Sequence, residues 1–264
     1  MKKITLHTLN KMKHEQQKIA CLTCYDYSQA ALVSANNIDL ILVGDSLGMV
    51  SQGHQTTVSV TMEQMVYHTQ MVKKGSGRSF LVADMPYMSY ATEEQTLKNA
   101  ALLMQAGAEM VKLEGGRWLC DTISKLSERG IPTCVHLGLT PQSVAMLGGF
   151  KVQGRDELAA EKLEEDAKLL ERAGANLLVL ECIPKYLAMQ ITRTVGIPTI
   201  GIGAGADTDG QILVFYDMLN MTQGHLPRFT KNFLEGADST QKAIFNYAYE
   251  VKAGIFPQDE HTYS

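Results

Sequence analysis

Gly174-Ala-Asn-Leu-Leu-Val-Leu-Glu181 joins a helix-ending glycine, a run of aliphatic residues and a carboxylate at the far end of the run. A short apolar run bounded by Gly, Pro or charge reads as a strand buried on both faces, as in a parallel sheet. Three other stretches repeat the pattern. Asp39-Leu-Ile-Leu-Val43 leads to Asp45, Phe80-Leu-Val-Ala83 to Asp84, and Met110-Val-Lys-Leu113 to Glu114. In barrels of alternating strands and helices the chemistry sits at the strand C-terminal ends. The spacing therefore predicts that Asp45, Asp84, Glu114 and Glu181 converge on one mouth.

Working outward, the glycine marker recurs in Gly107-Ala-Glu-Met-Val-Lys, Gly130-Ile-Pro-Thr-Cys-Val and Gly196-Ile-Pro-Thr-Ile-Gly. Each reads as a left-handed helix cap followed by a strand. Strands are expected at 18–22, 39–43, 80–83, 109–113, 132–136, 177–181, 198–202 and 211–215. Helices are expected at about 27–35, 61–75, 92–106, 118–129, 156–173 and 184–195, several opened by Thr, Asp or Pro. The 203–210 connection is too short for a crossover helix, so that unit is degraded or the eighth strand is misplaced; one or two closing helices fall in 230–254. The expectation is an α/β chain forming one (β/α)8 TIM barrel over residues 1–264, the size class of about 250 residues typical of that fold.

Composition excludes several classes. A formal net charge of −4 and the lack of any Lys/Arg run leave no face for a nucleic-acid backbone. Met1-Lys-Lys-Ile-Thr-Leu-His7 lacks a signal-peptide core, and no stretch approaches the ~18 apolar residues of a membrane span, so a cytoplasmic protein without a membrane partner is expected. The five cysteines are odd in number and scattered; Cys21 and Cys24 form a C-x-x-C without a second pair at zinc spacing. They read as reduced thiols.

Carboxylates gathered without Cys or His pairs suit a hard cation, and Mg²⁺ uses only one or two of them while keeping several waters. Asp45 and Asp84 are the best candidate ligands; the plainer alternative is that each caps the helix after its strand. Lys112 and Glu114 are two apart, so both face the same side of a strand. Lys112 can neutralise an anionic substrate group, or the two simply pair. His136 ends the run Thr133-Cys-Val-His136 and can donate to a developing oxyanion, or serve as a satisfied structural histidine. Glu181, on an apolar lip before Cys182-Ile-Pro184, is the candidate general base, the alternative being a first-turn helix acid. Val43-Gly-Asp-Ser-Leu-Gly48 lets Ser46 approach a ligand closely. Ile200-Gly-Ile-Gly-Ala-Gly205 has the look of an anion-gripping loop.

These stretches, with Thr23-Cys-Tyr-Asp-Tyr27, Val82-Ala-Asp-Met-Pro86, Val111-Lys-Leu-Glu-Gly-Gly116, Val135-His-Leu-Gly-Leu-Thr-Pro141, Gly149-Phe-Lys-Val-Gln-Gly154, Leu180-Glu-Cys-Ile-Pro184 and Asp209-Gly-Gln211, resemble the 3-methyl-2-oxobutanoate hydroxymethyltransferase (ketopantoate hydroxymethyltransferase) family. The match runs in order from about residue 3 to 235, and is looser over Thr222-Gln-Gly-His-Leu-Pro227. The resemblance implies a barrel of the phosphoenolpyruvate/pyruvate superfamily, Mg²⁺ dependence, and a role in pantothenate and coenzyme A biosynthesis. It implies a homo-oligomer of stacked rings, often a decamer of two pentamers. It implies Asp45 and Asp84 as metal ligands with Glu114 in the metal shell, Ser46 and Lys112 on the small 2-oxo acid, and Glu181 as proton acceptor. The co-substrate would be 5,10-methylenetetrahydrofolate. A barrel lyase or isomerase of a related 2-oxo or phosphoenol acid would need the same metal and base but no folate. A non-catalytic barrel would not need its mouth carboxylates.

Overall fold

In a computed structural model, residues 2–224 and 226–264 are described. Met1, the first residue of the Met1–His7 stretch, and His225, in the looser Thr222–Pro227 stretch, lie outside the described residues. Strands β1 Ile19–Thr23, β2 Leu40–Val43, β3 Phe80–Asp84, β4 Met110–Glu114, β5 Thr133–Gly138, β6 Leu177–Glu181, β7 Thr199–Ile202 and β8 Gly210–Leu213 form a closed parallel barrel in sequential order. Closure is made where β8 pairs with β1, Ile19 opposite Gly210 through Leu22 opposite Leu213. The expected α/β barrel is therefore present, with strand ends shifted by a residue or two.

The helices are α1 Leu6–His14, α2 Tyr27–Ala35, α3 Leu47–Val50, α4 Met62–Gly75, α5 Glu93–Ala106, α6 Cys120–Glu128, α7 Val144–Leu147, α8 Glu157–Ala173, α9 Lys185–Thr194, α10 Phe215–Met218 and α11 Thr240–Lys252. Their starts follow local chemistry. Asp26, Thr61, Thr92, Asp156 and Ser239 each sit in extended backbone and accept from the amide three residues on, satisfying one of the open donors of a first turn. Among the marker glycines, Gly107, Gly130 and Gly174 adopt φ of 113°, 72° and 108°. Gly196 departs from the expectation: α9 ends on an extended Val195, and the Gly196 amide instead donates to Glu171 Oε1 at 2.6 Å.

The seventh unit is degraded, not misplaced. Between β7 and β8 the chain returns without a helix, and the closing strand is genuine. The glycines there do not leave an anion cradle. A Cβ on Gly203 would meet the rings of Phe229 and Tyr263, and one on Gly205 would meet Lys185. So the expected phosphate-type loop is a packing device for the C-terminal segment, whose Tyr263 carbonyl accepts from Lys185 N at 2.9 Å. Helix α11 lies on the outside of the barrel seam, where the buried Tyr247 hydroxyl is 2.8 Å from Cys21 O and 3.0 Å from Gln211 O.

The core is the barrel interior plus the layer between strands and helices. Side chains of Leu42, Val82, Lys112, Cys134, Val179 and Ile212 meet inside the barrel. Because successive strand residues alternate sides, the next inward positions toward the strand C-termini are Asp84, Glu114, His136 and Glu181. All five cysteines are free thiols, as expected.

Candidate active site

Parallel register aligns the polar ends. Asp84 lies opposite Lys112, Glu114 opposite His136, and Gly138 opposite Glu181. Asp45 lies just beyond β2, and Ser46 is the residue before α3. The structure thus brings every candidate residue to one end of the barrel. Asp45, Asp84, Lys112, Glu114 and His136 are buried, while Ser46 and Glu181 are half-buried at the edge.

The contacts form one continuous chain. Asp45 N donates to Asp84 Oδ2 at 3.0 Å, and Lys112 Nζ donates to Asp84 Oδ1 at 2.6 Å. Lys112 Nζ is also 3.6 Å from Glu114 Oε1, which lies 3.2 Å from His136 Nδ1. His136 Nε2 stands 3.2 Å from Glu181 Oε2, but their angle makes no hydrogen bond. Attraction across that gap is by charge, and a buried ring nitrogen is left facing the mouth.

Three buried carboxylates thus crowd one lysine. Burial opposes the charge on Lys112, yet Asp84, Glu114 and Asp45 outweigh it and hold its pKa well above the usual lysine value. Burial likewise opposes a charge on His136, but the carboxylates of Glu114 and Glu181 raise its pKa to about 9, so the ring carries a proton at neutral pH. Glu114 resists its own burial because Lys112 and His136 lower its pKa. Asp45 is less well compensated, since Lys112 offsets only part of what raises it. Burial first, then Asp84 and Glu114, push its carboxyl well above the normal range; its Oδ2 accepts from the neutral Gln142 Nε2 at 2.9 Å.

That imbalance fits a divalent cation. Asp45 and Asp84 are adjacent oxygen donors, and among the described residues no side-chain cation makes an ion pair with Asp45, Lys112 acting on it only from beyond contact distance while it pairs with Asp84. Glu114 is already engaged, Oε1 with His136 and Oε2 with the Gln142 amide at 3.0 Å. Among the described residues no group of three or more His, Cys, Asp or Glu side chains is arranged to hold a metal ion; Mg²⁺ uses as few as one or two carboxylates with water completing its shell, and the two aspartates are the donors the fold offers it.

Sequence reasoning missed Gln142 and Tyr90. Gln142 Nε2 also donates to Met85 O at 3.0 Å, and its Oε1 accepts from the Tyr90 hydroxyl. One amide therefore ties the loops after β2, β3 and β5. The Tyr90 ring stacks on Trp118, centroids 6.2 Å apart. The one visible signal for Gln142 was its place after Thr140-Pro141, a helix-start pair on a loop leaving the barrel.

The backbone around Glu181 is constrained. Cys182 adopts φ of 45°, a left-handed conformation unusual for a residue with a side chain. Gly138, φ 93°, passes so close that a Cβ there would run into the Glu181 carbonyl oxygen. Cys182 N donates to Ile202 O at 2.9 Å, and Cys182 O accepts from Gln153 N at 2.9 Å, fixing the strand end from both sides.

Residues 3–259 match the family model described as ketopantoate hydroxymethyltransferase. The chain is 59% identical over its full length to the whole of a 3-methyl-2-oxobutanoate hydroxymethyltransferase of Shewanella loihica, and 58% identical to that of Shewanella sediminis, again over both entire chains. Among solved structures, phosphonopyruvate hydrolase superposes with a TM-score of 0.63 at 12% identity over 81% of this chain and 80% of its own. The 2,3-dimethylmalate lyase of the PEP mutase/isocitrate lyase superfamily gives 0.59 at 15% identity over 79% and 80%. At those identities the likeness is one of fold.

Proposed function

Because this chain belongs to the ketopantoate hydroxymethyltransferase family, we propose that it transfers a hydroxymethyl group from 5,10-methylenetetrahydrofolate to 3-methyl-2-oxobutanoate, giving 2-dehydropantoate. The observation that carries this reading is the buried, under-neutralised carboxylate group at the barrel mouth, joined through His136 to a half-buried Glu181. Such a site suits the removal of a proton beside a carbonyl.

Asp45 and Asp84 would hold Mg²⁺, with Glu114 in the metal shell, and the ion would supply Lewis-acid charge that makes the C3 proton of the 2-oxo acid removable. The chain's own residues do the rest. Ser46 donates to an oxygen of the acid, and Lys112 balances negative charge developing on the 2-oxo oxygen. Glu181 takes the C3 proton. His136, protonated and 3.2 Å away, orients the Glu181 carboxylate and its charge offsets that of the enolate. The enolate carbon then bonds to the one-carbon unit as both of that carbon's bonds to the folate nitrogens break; water supplies the hydroxyl oxygen, and the C3 proton and one water proton leave on the two nitrogens of tetrahydrofolate. The strained turn at Cys182 holds Glu181 against the acid's C3 instead of letting it swing into solvent.

Residues 1–264 would act as one barrel domain, assembled as a homo-oligomer of stacked rings, a decamer in the arrangement the family resemblance implies. No helix among the described residues is long and apolar enough to cross a membrane, in keeping with a cytoplasmic place in pantothenate and coenzyme A biosynthesis.

The test follows the C3 proton of 3-methyl-2-oxobutanoate by NMR in D₂O, with and without Mg²⁺, before and after adding 5,10-methylenetetrahydrofolate. Metal-dependent exchange followed by 2-dehydropantoate is expected, and Glu181→Gln should bind the acid while losing exchange. Exchange without conversion would move the assignment to a lyase or isomerase of a related acid. No exchange by folded, Mg²⁺-loaded protein would overturn it.

A further inference from the structure

The motif Thr23-Cys-Tyr-Asp-Tyr27 takes no part in the steps above, yet it reaches Ser46. Phe215 N donates to Thr23 Oγ1 at 3.0 Å, Thr23 Oγ1 lies 2.8 Å from the Tyr25 hydroxyl, and that hydroxyl lies 3.0 Å from Ser46 Oγ. The chain runs from the end of β8, through the end of β1, to the loop after β2. It ends beside Asp45.

We propose that Thr23 and Tyr25 form a one-way hydrogen-bond relay that commits the Ser46 hydroxyl proton to the bound 2-oxo acid, making Tyr25 a positioning residue for substrate. The inference rests on the function proposed above. Its direction follows from donor counting, since each hydroxyl has one proton. A backbone N–H only donates, so Thr23 Oγ1 is an acceptor toward Phe215 and gives its own proton to Tyr25. Were Ser46 also to donate to Tyr25, the buried phenol proton would be left without an acceptor, a costly state. Tyr25 therefore donates to Ser46, and the Ser46 proton points out of the chain. Burial pushes the Tyr25 phenol up, so it keeps that proton at working pH.

Tyr25 is built to stay in place. Its amide donates to Gln29 Oε1 at 2.9 Å, its carbonyl lies 2.6 Å from His68 Nδ1, and its ring stacks on Tyr216 at 5.8 Å with planes 5° apart. Gln29 Nε2 in turn donates to the Tyr216 hydroxyl at 2.8 Å. Gly44 leaves room at the other end, because a Cβ there would sit 2.8 Å from Ser46 Oγ. Serially linked hydroxyls polarise one another, so the terminal Ser46 proton becomes a stronger donor to an anionic oxygen.

The experiment is calorimetric titration of 3-methyl-2-oxobutanoate into Mg²⁺-loaded wild type, Tyr25→Phe, Thr23→Val, Thr23→Ser, Ser46→Ala and the Tyr25→Phe/Ser46→Ala double variant, with steady-state kinetics alongside. Tyr25→Phe and Thr23→Val should each weaken binding about tenfold, the size of one hydrogen bond, and raise KM while leaving kcat within about twofold. Thr23→Ser should restore wild-type binding. In the Ser46→Ala background Tyr25→Phe should cost nothing further. An equal loss in both backgrounds, or wild-type binding by folded Tyr25→Phe, would overturn the relay alone. Thr23→Val, which keeps the Tyr25 ring, decides the matter if Tyr25→Phe does not fold. Wild type that fails to bind the acid would overturn the functional reading and the relay with it.

Discussion

Asp45 is a strained ionisable group in the metal-free protein. Its carboxylate is buried beside Asp84 and Glu114, and Lys112 is already committed to Asp84. Asp45→Asn keeps an acceptor for Gln142 and removes the charge, so it should raise the melting temperature of metal-free protein by ~2–4 °C, equivalent to about 1 kcal/mol in a chain of this size. Turnover should be lost. The sign with pH follows from the raised folded pKa: the folded state binds this proton more tightly, so its stabilisation is full below the unfolded carboxyl value and fades as pH rises through the folded one. The advantage of Asp45→Asn should therefore grow from acidic to neutral pH in calorimetry, and an advantage that shrinks would contradict the charge argument. Gln142 poses a different question, because it touches Asp45, Glu114 and Tyr90 through one side chain and one amide. Gln142→Ala should lower Mg²⁺ affinity ~10–100-fold, as losing an orienting partner does; unchanged affinity would reduce Gln142 to a filler. Asp84, Glu114 and Glu181 were legible because each ends an aliphatic run whose alternation fixes where it points, and Asp45 because it follows such a run within two residues. Gln142 was not, because its bond to Asp45 spans 97 residues and exists only once two loops meet.

At the scale of elements, period and capping chemistry carried most of the information. Helices such as Tyr27–Ala35 and Glu157–Ala173 begin where an Asp cap stands and end near the expected residue. Helix α1 was not among the expected helices; it buries Leu9 and Met12, and its Lys13 reaches Asp209 at 2.7 Å, a contact across 196 residues with no local signature. The helixless return between β7 and β8 was left open by sequence alone, since a Gly-rich connection reads equally as an anion loop. What decides it is the C-terminal segment folding back onto those glycines, a contact with no local signature. The β5 end offers the sharpest element-scale prediction. Gly138→Ala places a side chain in a left-handed backbone and against the Glu181 carbonyl. It should destabilise by ~2–4 kcal/mol in urea unfolding and lower turnover by more than its stability loss explains, because Glu181 must move. A soluble variant with full turnover would show that the mouth tolerates that shift.

For the whole molecule, closing eight strands places like charges together that an open sheet would keep apart. The barrel balances this partly within itself, through Lys112 and the protonated His136, and partly at its seam, where α11 supplies the Tyr247 hydroxyl to carbonyls of β1 and β8. Because burial and its acidic neighbours disfavour the charged form of Asp45, folding and cation binding are linked there. If Asp45 and Asp84 hold Mg²⁺, the ion binds the closed barrel and not the unfolded chain, whose two carboxylates lie far apart. Mg²⁺ at one hundred times its dissociation constant should then add ~2.7 kcal/mol, a rise of about 5–10 °C in melting temperature. Asp84→Asn should abolish that rise while K⁺ at matched ionic strength gives none, since screening acts weakly on a buried group. A scan in which Mg²⁺ and K⁺ act alike on wild type would show that the mouth carboxylates are neutralised within the fold and that the barrel closes without needing a cation.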